Sequence, residues 1–297
     1  MDAPIRIKRD AELAPLTTFG IGGPADLLAR PASADELVAI VRWARANELP
    51  WMILGLGANI LVGDKGFRGL VIKNEAGAHR IDGTKLTAES GSVVGDLVEI
   101  TARQGLSGLE HYQNIPSTLG GAMWQNLHFL SYPHERTYFI EEIVESAEVL
   151  RGDAVETVGE DYFKFGYDTS VLHETDDIVL SVTLRLSEAP KAEIELRREK
   201  NAAWRAEKHP PGAAQMSAGS IFQKIEGAGA GRLIDQAGLK GYRVGGAEVS
   251  ERHANYILNV DNATAADVRA LIAHIQETVE KTSGHRLEPE ISFVGEF

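Results

Sequence analysis

Apolar positions along the chain switch between two periods. From Ser33 to Ala46 they recur at helical spacing, with Leu37, Ile40, Val41 and Ala44 on one face, Ser33 as cap and Pro50 as stop. The run after it reads as short strands broken by glycine turns: Trp51–Leu54, Ile60–Val62 and Leu70–Ile72, with a turn at Asp64–Gly66. Lys85–Gly91 is a further strand, and Val94 to Arg103 a helix stopped near Gly105. A Gly- and Pro-rich loop, Ile115–Asn126, runs into a helix start. Ile140–Asp161 and Asp177–Glu188 alternate as antiparallel strands. Lys191–Lys208 is a charged helical connector ended by His209–Pro211. The last third reads as a strand (Ser220–Glu226), a helix (Ala230–Gly238), strands at Ala247–Ser250 and Asn255–Val260, and a long helix. Thr264 caps that helix, and Val268, Leu271, Ile272, Ile275 and Val279 form its apolar stripe. Leu287–Gly295 closes the chain as a strand. The pattern predicts an α+β fold.

Length narrows this to two or three domains, since the chain has 297 residues. No apolar run approaches the roughly 18 residues of a membrane span, and the first ten residues lack the apolar core of a signal peptide. A cytoplasmic protein is expected, monomeric by default, with no membrane partner. Cysteine is absent, which excludes disulfides, thiolate metal sites, a cysteine nucleophile and flavin bound through sulfur. The net charge of −13 argues against a nucleic-acid partner. It leaves room for a phosphorylated ligand held by backbone amides and a few cations. The nine histidines form no close pair of the kind that binds metal, so no metal site is predicted.

Five segments carry candidate chemistry. Phe19–Leu28 holds Gly22 and Gly23 in a tight turn with free amides, for which a plain surface turn is the alternative. Leu54–Gly66 runs from a strand into Gly55-Leu56-Gly57-Ala58-Asn59-Ile60-Leu61, whose successive N–H groups suit an anion. It is not a dinucleotide fingerprint, because a strand rather than a long helix follows. Ile115–Asn126 offers the Ser117 and Thr118 hydroxyls, with close backbone approach at Gly120 and Gly121. Three glycine-rich turns in an acidic chain point together to a large phosphorylated cofactor. Ser220 enters a strand without a nucleophile elbow around it; it is a turn serine or a proton donor. Glu288 and Glu290 share one face of the closing strand, with Ile291 and Phe293 opposite. They are an exposed edge pair or, if buried, a catalytic acid.

The runs TTFGIGGPADLL, LGLGANILVGDKGFRGLVI, GLSGLEHYQNIPSTLGGA, SAGSIF, GRLIDQAGLKGYRVGGAEVSERHANYILN and LEPEISFVG occur in this order along nearly the whole chain. Together they resemble the UDP-N-acetylenolpyruvoylglucosamine reductase family, in its short, type II form. The resemblance implies a two-part FAD-binding domain of the vanillyl-alcohol-oxidase (PCMH) type plus a C-terminal α+β substrate-binding domain. The implied division is 1–74 and 75–204 for the flavin parts, with 285–297 returning to the second, and 205–284 for the substrate. FAD would be noncovalent, with contacts from the Gly55–Leu61 and Ser117–Gly121 loops. NADPH would be the co-substrate. The implied reaction is reduction of the enolpyruvyl ether of a UDP-sugar to UDP-N-acetylmuramate, a step of peptidoglycan precursor synthesis in the cytoplasm. Ser220 matches the proton donor and Glu290 its acidic partner. Tyr167, Lys240 and His253 match positions facing the substrate.

Three departures stand out, one of them Gln223-Lys224-Ile225 where the family has Lys-Asn-Pro. The family's Tyr-Arg pair, whose arginine engages the substrate carboxylate, is here Tyr167-Asp168. A carboxylate cannot do that arginine's work, because two carboxylates repel. Lys224 is a substitute by strand alternation with Ser220. The family's Asn-Ala-Gly-Ala-Tyr-Gly is here NLHFLSY, with His128 and Phe129 adding bulk near the flavin or nicotinamide. These departures keep open an FAD-dependent oxidase or dehydrogenase of the same fold with another substrate. A flavin- or nucleotide-binding protein without turnover is the third reading.

Overall fold

A computed structural model describes residues 3–210, 216–225 and 227–297. The chain divides into two compact units. One is built from Met1–Ile7, Ala29–Gly55 and Ile72–Trp204, the other from Lys8–Leu28, Leu56–Val71 and Arg205–Phe297. Each unit thus draws on separated stretches of sequence.

The first unit is organised by an antiparallel five-stranded sheet. Its order is Ala154–Gly159, Val144–Arg151, Ile178–Arg185, Lys85–Glu89 and His79–Asp82. Ile178–Arg185 lies third of the five, and its first five residues are all buried, as an inner strand requires. Leu86, Val98, Tyr112, Val149, Phe163 and Val182 belong to one apolar cluster. The helix Val94–Gln104 buries Val94, Leu97, Val98, Thr101 and Ala102, and Gly105 ends it in the left-handed conformation at φ 74°. The helix Ala34–Ala46 starts as expected, with the Ser33 hydroxyl accepting from Glu36 N at 3.2 Å.

The connector helix Lys191–Lys208 is tied to this unit by polar groups rather than by an apolar stripe. Asn201 is fully buried; it accepts from Tyr132 N at 2.7 Å and donates to Ser131 Oγ at 2.7 Å. Arg197 pairs with the buried carboxylate of Glu110, which also accepts from Ser107 Oγ and Gly108 N at 2.6 Å each. NLHFLSY is not a loosened loop. His128–Ser131 pairs with Arg136–Phe139 as an antiparallel hairpin.

The second unit packs the helices Ala230–Gln236 and Ala265–Ser283 with a three-stranded sheet of Arg243–Val244, Ala247–Val249 and Ile257–Asn259. The expected stripe from Val268 to Val279 is buried. Thr264 and Asp267 cap the long helix reciprocally, and the Asp64 carboxylate takes the next two free amides, Ala265 N at 2.7 Å and Ala266 N at 3.0 Å.

Three expectations change. The closing strand is only Ser292–Val294, and it pairs in parallel with Ile60–Val62 rather than returning to the 75–204 segment. Ile291 is buried and Phe293 is 43% exposed, so they do not share a buried face, and Glu288 and Glu290 precede the strand. Ser220–Ile225 is not a strand. Its hydrogen bonds go alternately to two different neighbours: Ile221 N to Asn255 O, Gln223 N to Glu288 O. Neither neighbour forms a continuous ladder, and only isolated bridges result. Pro211 and Glu226, named in the expected helix stop and strand, lie outside the described residues.

Candidate active site

In the second unit, the Leu56–Leu61 loop is tied down by its carbonyls. Gly57 O accepts from Thr18 N at 3.1 Å, and Asn59 O from Ser292 N at 3.0 Å. Gly57 sits at φ 64°, and a Cβ there would lie 2.7 Å from Leu16 O, so only glycine allows this approach. Gly57 and Asn59 are thus held through their carbonyls, while Ile60 and Leu61 belong to the parallel pairing with Ser292–Val294. Gly22 and Gly23 have a different explanation. Gly23 N donates to Gly63 O at 3.0 Å, and a Cβ on Gly23 would strike Asp64 O at 2.2 Å. The backbone of residues 63–66 fills the space, and the amide expected to be free at Gly23 is spent.

In the first unit, Gly55 lies against Thr118, where a Cβ would come within 2.6 Å of Oγ1. Lys73 Nζ donates to Gly55 O, and burial pulls the lysine's pKa down. Thr118 caps the short helix Leu119–Gln125 by accepting from Gly121 N at 3.2 Å. Leu119 N and Gly120 N donate to Ser92 O and Ser90 O. The amides of 119–121 are therefore committed, the Ser117 hydroxyl donates to Thr118 O at 2.9 Å, and that of Thr118 accepts from Gly121 N. Ser92 Oγ is buried without a partner among the described residues.

Tyr167 and Asp168 also lie in the first unit. Tyr167 is 54% exposed and its ring is 4.5 Å from that of His128. Asp168 has φ 56°, a conformation aspartate tolerates better than most residues. Its carboxylate is 3.8 Å from His128 Nδ1. Burial raises the Asp168 pKa, against opposing effects of His128, Gln125 and His173.

The second unit gathers the expected proton-transfer residues. Ser220 bridges Tyr256, and Glu290 N donates to Ile221 O at 2.8 Å, which brings both onto the Tyr256 phenol. Burial pushes that phenol's pKa up; the Arg205 guanidinium opposes the rise, Glu290 adds to it, and a hydrogen bond from Ser220 opposes it. Tyr256 OH also lies 2.7 Å from His209 Nδ1. Burial, with Arg205 and His253 nearby, pulls His209 down to about 4. Burial also pulls His253 down, and the Lys240 charge adds to this. Lys240 itself pairs with Asp235 at 2.9 Å. Lys224 is exposed, and without a strand the alternation that paired it with Ser220 no longer holds. Tyr256, Arg205 and His209 were missed from sequence. Their signal was faint: a tyrosine three residues past His253, and an arginine and a histidine flanking the end of a charged helix.

No three His, Asp or Glu side chains among the described residues could hold a metal ion together, and no described helix is long and apolar enough to cross a membrane.

Two family models match the chain: "FAD binding domain" over 25–157, and "UDP-N-acetylenolpyruvoylglucosamine reductase, C-terminal domain" over 210–294. The UDP-N-acetylenolpyruvoylglucosamine reductase of Caldanaerobacter subterraneus subsp. tengcongensis is 41% identical, covering 94% of this chain and 91% of its own length. That of Agathobacter rectalis is 40% identical over 95% and 91%. The solved structure of the Thermus caldophilus reductase is 34% identical with a TM-score of 0.82, covering 97% of this chain and 99% of that one. With a flavin-domain match in its first half and full-length relatives at this identity, the chain belongs to the UDP-N-acetylenolpyruvoylglucosamine reductase family.

Proposed function

We propose that this chain reduces UDP-N-acetylglucosamine enolpyruvate to UDP-N-acetylmuramate, with noncovalent FAD and NADPH, as a cytoplasmic monomer in peptidoglycan precursor synthesis. The observation that carries this is the meeting of Ser220, Tyr256 and Glu290 within the stretch matched by the reductase family's own domain. The flavin parts are assigned to 1–74 and 75–204, and substrate binding to 205–284.

The residues present fit FAD. Gly55 leaves no space for a methyl group beside Thr118, the carbonyls of Gly57 and Asn59 are engaged, and the buried Ser92 hydroxyl has no partner among the described residues. By the family resemblance, the Leu56–Leu61 stretch of the second unit would contact the diphosphate; the Gly55 and Ser117–Thr118 positions of the first unit are assigned to cofactor contacts on the same ground. Gly120 and Gly121 would let the backbone approach. Bound FAD supplies hydride transfer, from NADPH in one half-reaction and to C3 of the enolpyruvyl group in the other.

The chain's own residues handle the proton and the substrate. Ser220 Oγ delivers a proton to C2, and Tyr256, already in contact with it, can replace that proton. Glu290 at this site sets the charge against which the proton moves. The largely buried edge around Tyr256 limits water, which strengthens each of these interactions. Lys240 and His253 are assigned to the nucleotide part of the substrate.

The test separates the half-reactions. Ser220→Ala is expected to keep flavin reduction by NADPH and to slow acceptor reduction by roughly 10²–10⁴-fold. Equal acceptor rates in variant and wild type would sink the assignment. Asp168 favours the competing reading, an oxidase or dehydrogenase with another substrate; rapid reoxidation of reduced flavin by oxygen without any acceptor would support it.

A further inference from the structure

The Tyr256 phenol has two hydrogen-bond partners and one proton. His209 Nδ1 lies 2.7 Å from its oxygen, and the Ser220 hydroxyl bonds to the same oxygen. A phenol donates once, so it can donate to only one of them. Burial, with Arg205 and His253 nearby, holds His209 at about 4, so its ring is neutral at pH 7 and carries one proton, on Nδ1 or on Nε2. That choice sets the direction of the whole chain. With the proton on Nε2, the phenol donates to Nδ1 and Ser220 donates to the phenol, which turns the serine's proton away from a substrate. With the proton on Nδ1, His209 donates to the phenol, the phenol donates to Ser220, and the serine's proton is left for an acceptor. The groups meet from fixed backbones, all in the second unit. His209 N donates to Arg205 O at 2.8 Å, and His209 O accepts from Arg252 Nη1 at 3.3 Å. Tyr256 N donates to His253 O, and Tyr256 O accepts from Ser250 N, at 2.9 Å each. The His209 ring stacks on that of His253, with 5.6 Å between centroids and 7° between planes. His253 Nδ1 accepts from Asn255 N at 3.3 Å, so it is not a competing donor.

We infer that His209 is a positioning residue, whose Nδ1–H donates to the Tyr256 phenol and so turns the phenol's own proton onto Ser220. The role rests on the reductase reading above, in which Ser220 protonates C2. As the Ser220 O–H bond breaks and the C2–H bond forms, the phenol's proton moves to the serine oxygen. The phenolate left behind keeps the hydrogen bond from Nδ1–H and the nearby Arg205 charge, and it takes a proton from water once product leaves. Glu290 acts against the phenolate, and so keeps the phenol protonated between turnovers.

The experiment follows reoxidation of NADPH-reduced enzyme by the enolpyruvyl acceptor, without oxygen, in wild type, Tyr256→Phe, His209→Leu, His209→Asn and the double variant Tyr256→Phe with His209→Leu. Flavin reduction by NADPH is read alongside as the check on folding and cofactor. Tyr256→Phe and His209→Leu are each expected to slow acceptor reduction about tenfold to a hundredfold, the range for losing one charged hydrogen bond. The double variant is expected to be no slower than Tyr256→Phe alone, because His209 acts only through the phenol. His209→Asn, whose amide N–H can stand where Nδ1–H does, is expected to recover most of the rate. Nitrogen-15 NMR of histidine-labelled wild type, with the His209 signals identified by their loss in His209→Asn, is expected to show the proton on Nδ1 at pH 7. The inference is overturned by a proton on Nε2 of His209, by a His209→Leu rate equal to wild type, or by single-variant effects that multiply, as a structural role would give. Wild-type enzyme that NADPH reduces but the acceptor never reoxidises would overturn the reductase reading, and this role with it.

Discussion

An alanine at position 55 puts a methyl group where the fold has no room for one. Its Cβ would lie 2.6 Å from Thr118 Oγ1 and 3.5 Å from Thr118 Cγ2. Position 55 is not in the left-handed region, so the backbone accepts alanine and the collision is the whole effect. Thr118 cannot give way freely, because its hydroxyl accepts from Gly121 N and caps Leu119–Gln125. Forced packing costs about 1–3 kcal/mol and loss of such a cap about 1 kcal/mol. Gly55→Ala should therefore destabilise the first unit by roughly 2–4 kcal/mol. Urea unfolding of flavin-free protein reads this, and titration of flavin fluorescence reads the parallel loss of FAD affinity. Gly95→Ala is the control: its Cβ meets nothing within 4 Å, and it lies inside the helix Val94–Gln104, so a gain of about 0.5–1 kcal/mol is expected. Thr118→Ala removes the struck hydroxyl, so the double variant should be more stable than the two single effects added together. A Gly55→Ala protein within about 0.5 kcal/mol of wild type, or strict additivity with Thr118→Ala, would refute the reasoning.

Glu110→Gln should cost about 2–4 kcal/mol in urea unfolding, since it strips a buried carboxylate from Ser107, Gly108 and Arg197. Acid should weaken the same region in two overlapping stages. His111 is held down to about 4 by burial, against the pull of Glu110, so the unfolded chain takes up its proton first as pH falls below about 6.5, and stability drops from there. Burial opposes ionisation of Glu110, but bonds from Ser107 and Gly108 hold its pKa below the usual value. Its contribution is complete above about 4.3 and is lost as pH falls through the folded value. A urea midpoint that stays flat between pH 7 and pH 4 would contradict the His111 stage, and one that falls no further below pH 4 would contradict the Glu110 stage. Asp64→Ala should remove about 1–2 kcal/mol, seen as a lower unfolding midpoint of the second unit, because two amides at the start of Ala265–Ser283 lose their acceptor.

Much of this molecule could be read from local pattern. The helices at 34–46 and 265–283 carry their own caps and apolar stripes, that at 94–104 its stripe and its Gly105 stop, and that at 191–208 its charged helix-forming run, and all four form where those signals stand. What escaped was whatever depends on a distant partner. Ser220–Ile225 has strand composition, yet its neighbours at 255 and 288 divide its hydrogen bonds. The closing strand's partner, Ile60–Val62, is more than two hundred residues away, and no local feature names it. The hairpin at His128–Phe139 pairs two four-residue strands, too short for a period-2 pattern to announce them. Among the proposed site residues, Ser220 and Glu290 stand out through the family motifs, and the structure brings both to Tyr256. Gly22 and Gly23 were misleading: glycine marks close approach, and here the approaching group is the backbone at Asp64. Tyr256 and Arg205 were not singled out from the residues; Tyr256 gains its meaning from its contact with Ser220, and Arg205 from its charge beside Tyr256.

NADPH oxidation by FAD-loaded protein, followed without oxygen and with or without UDP-N-acetylglucosamine enolpyruvate, tests the central claim most directly. The account predicts consumption of one NADPH per acceptor added, with UDP-N-acetylmuramate formed in step. Flavin that is reduced once by NADPH and then stalls, whether or not the acceptor is present, would contradict it.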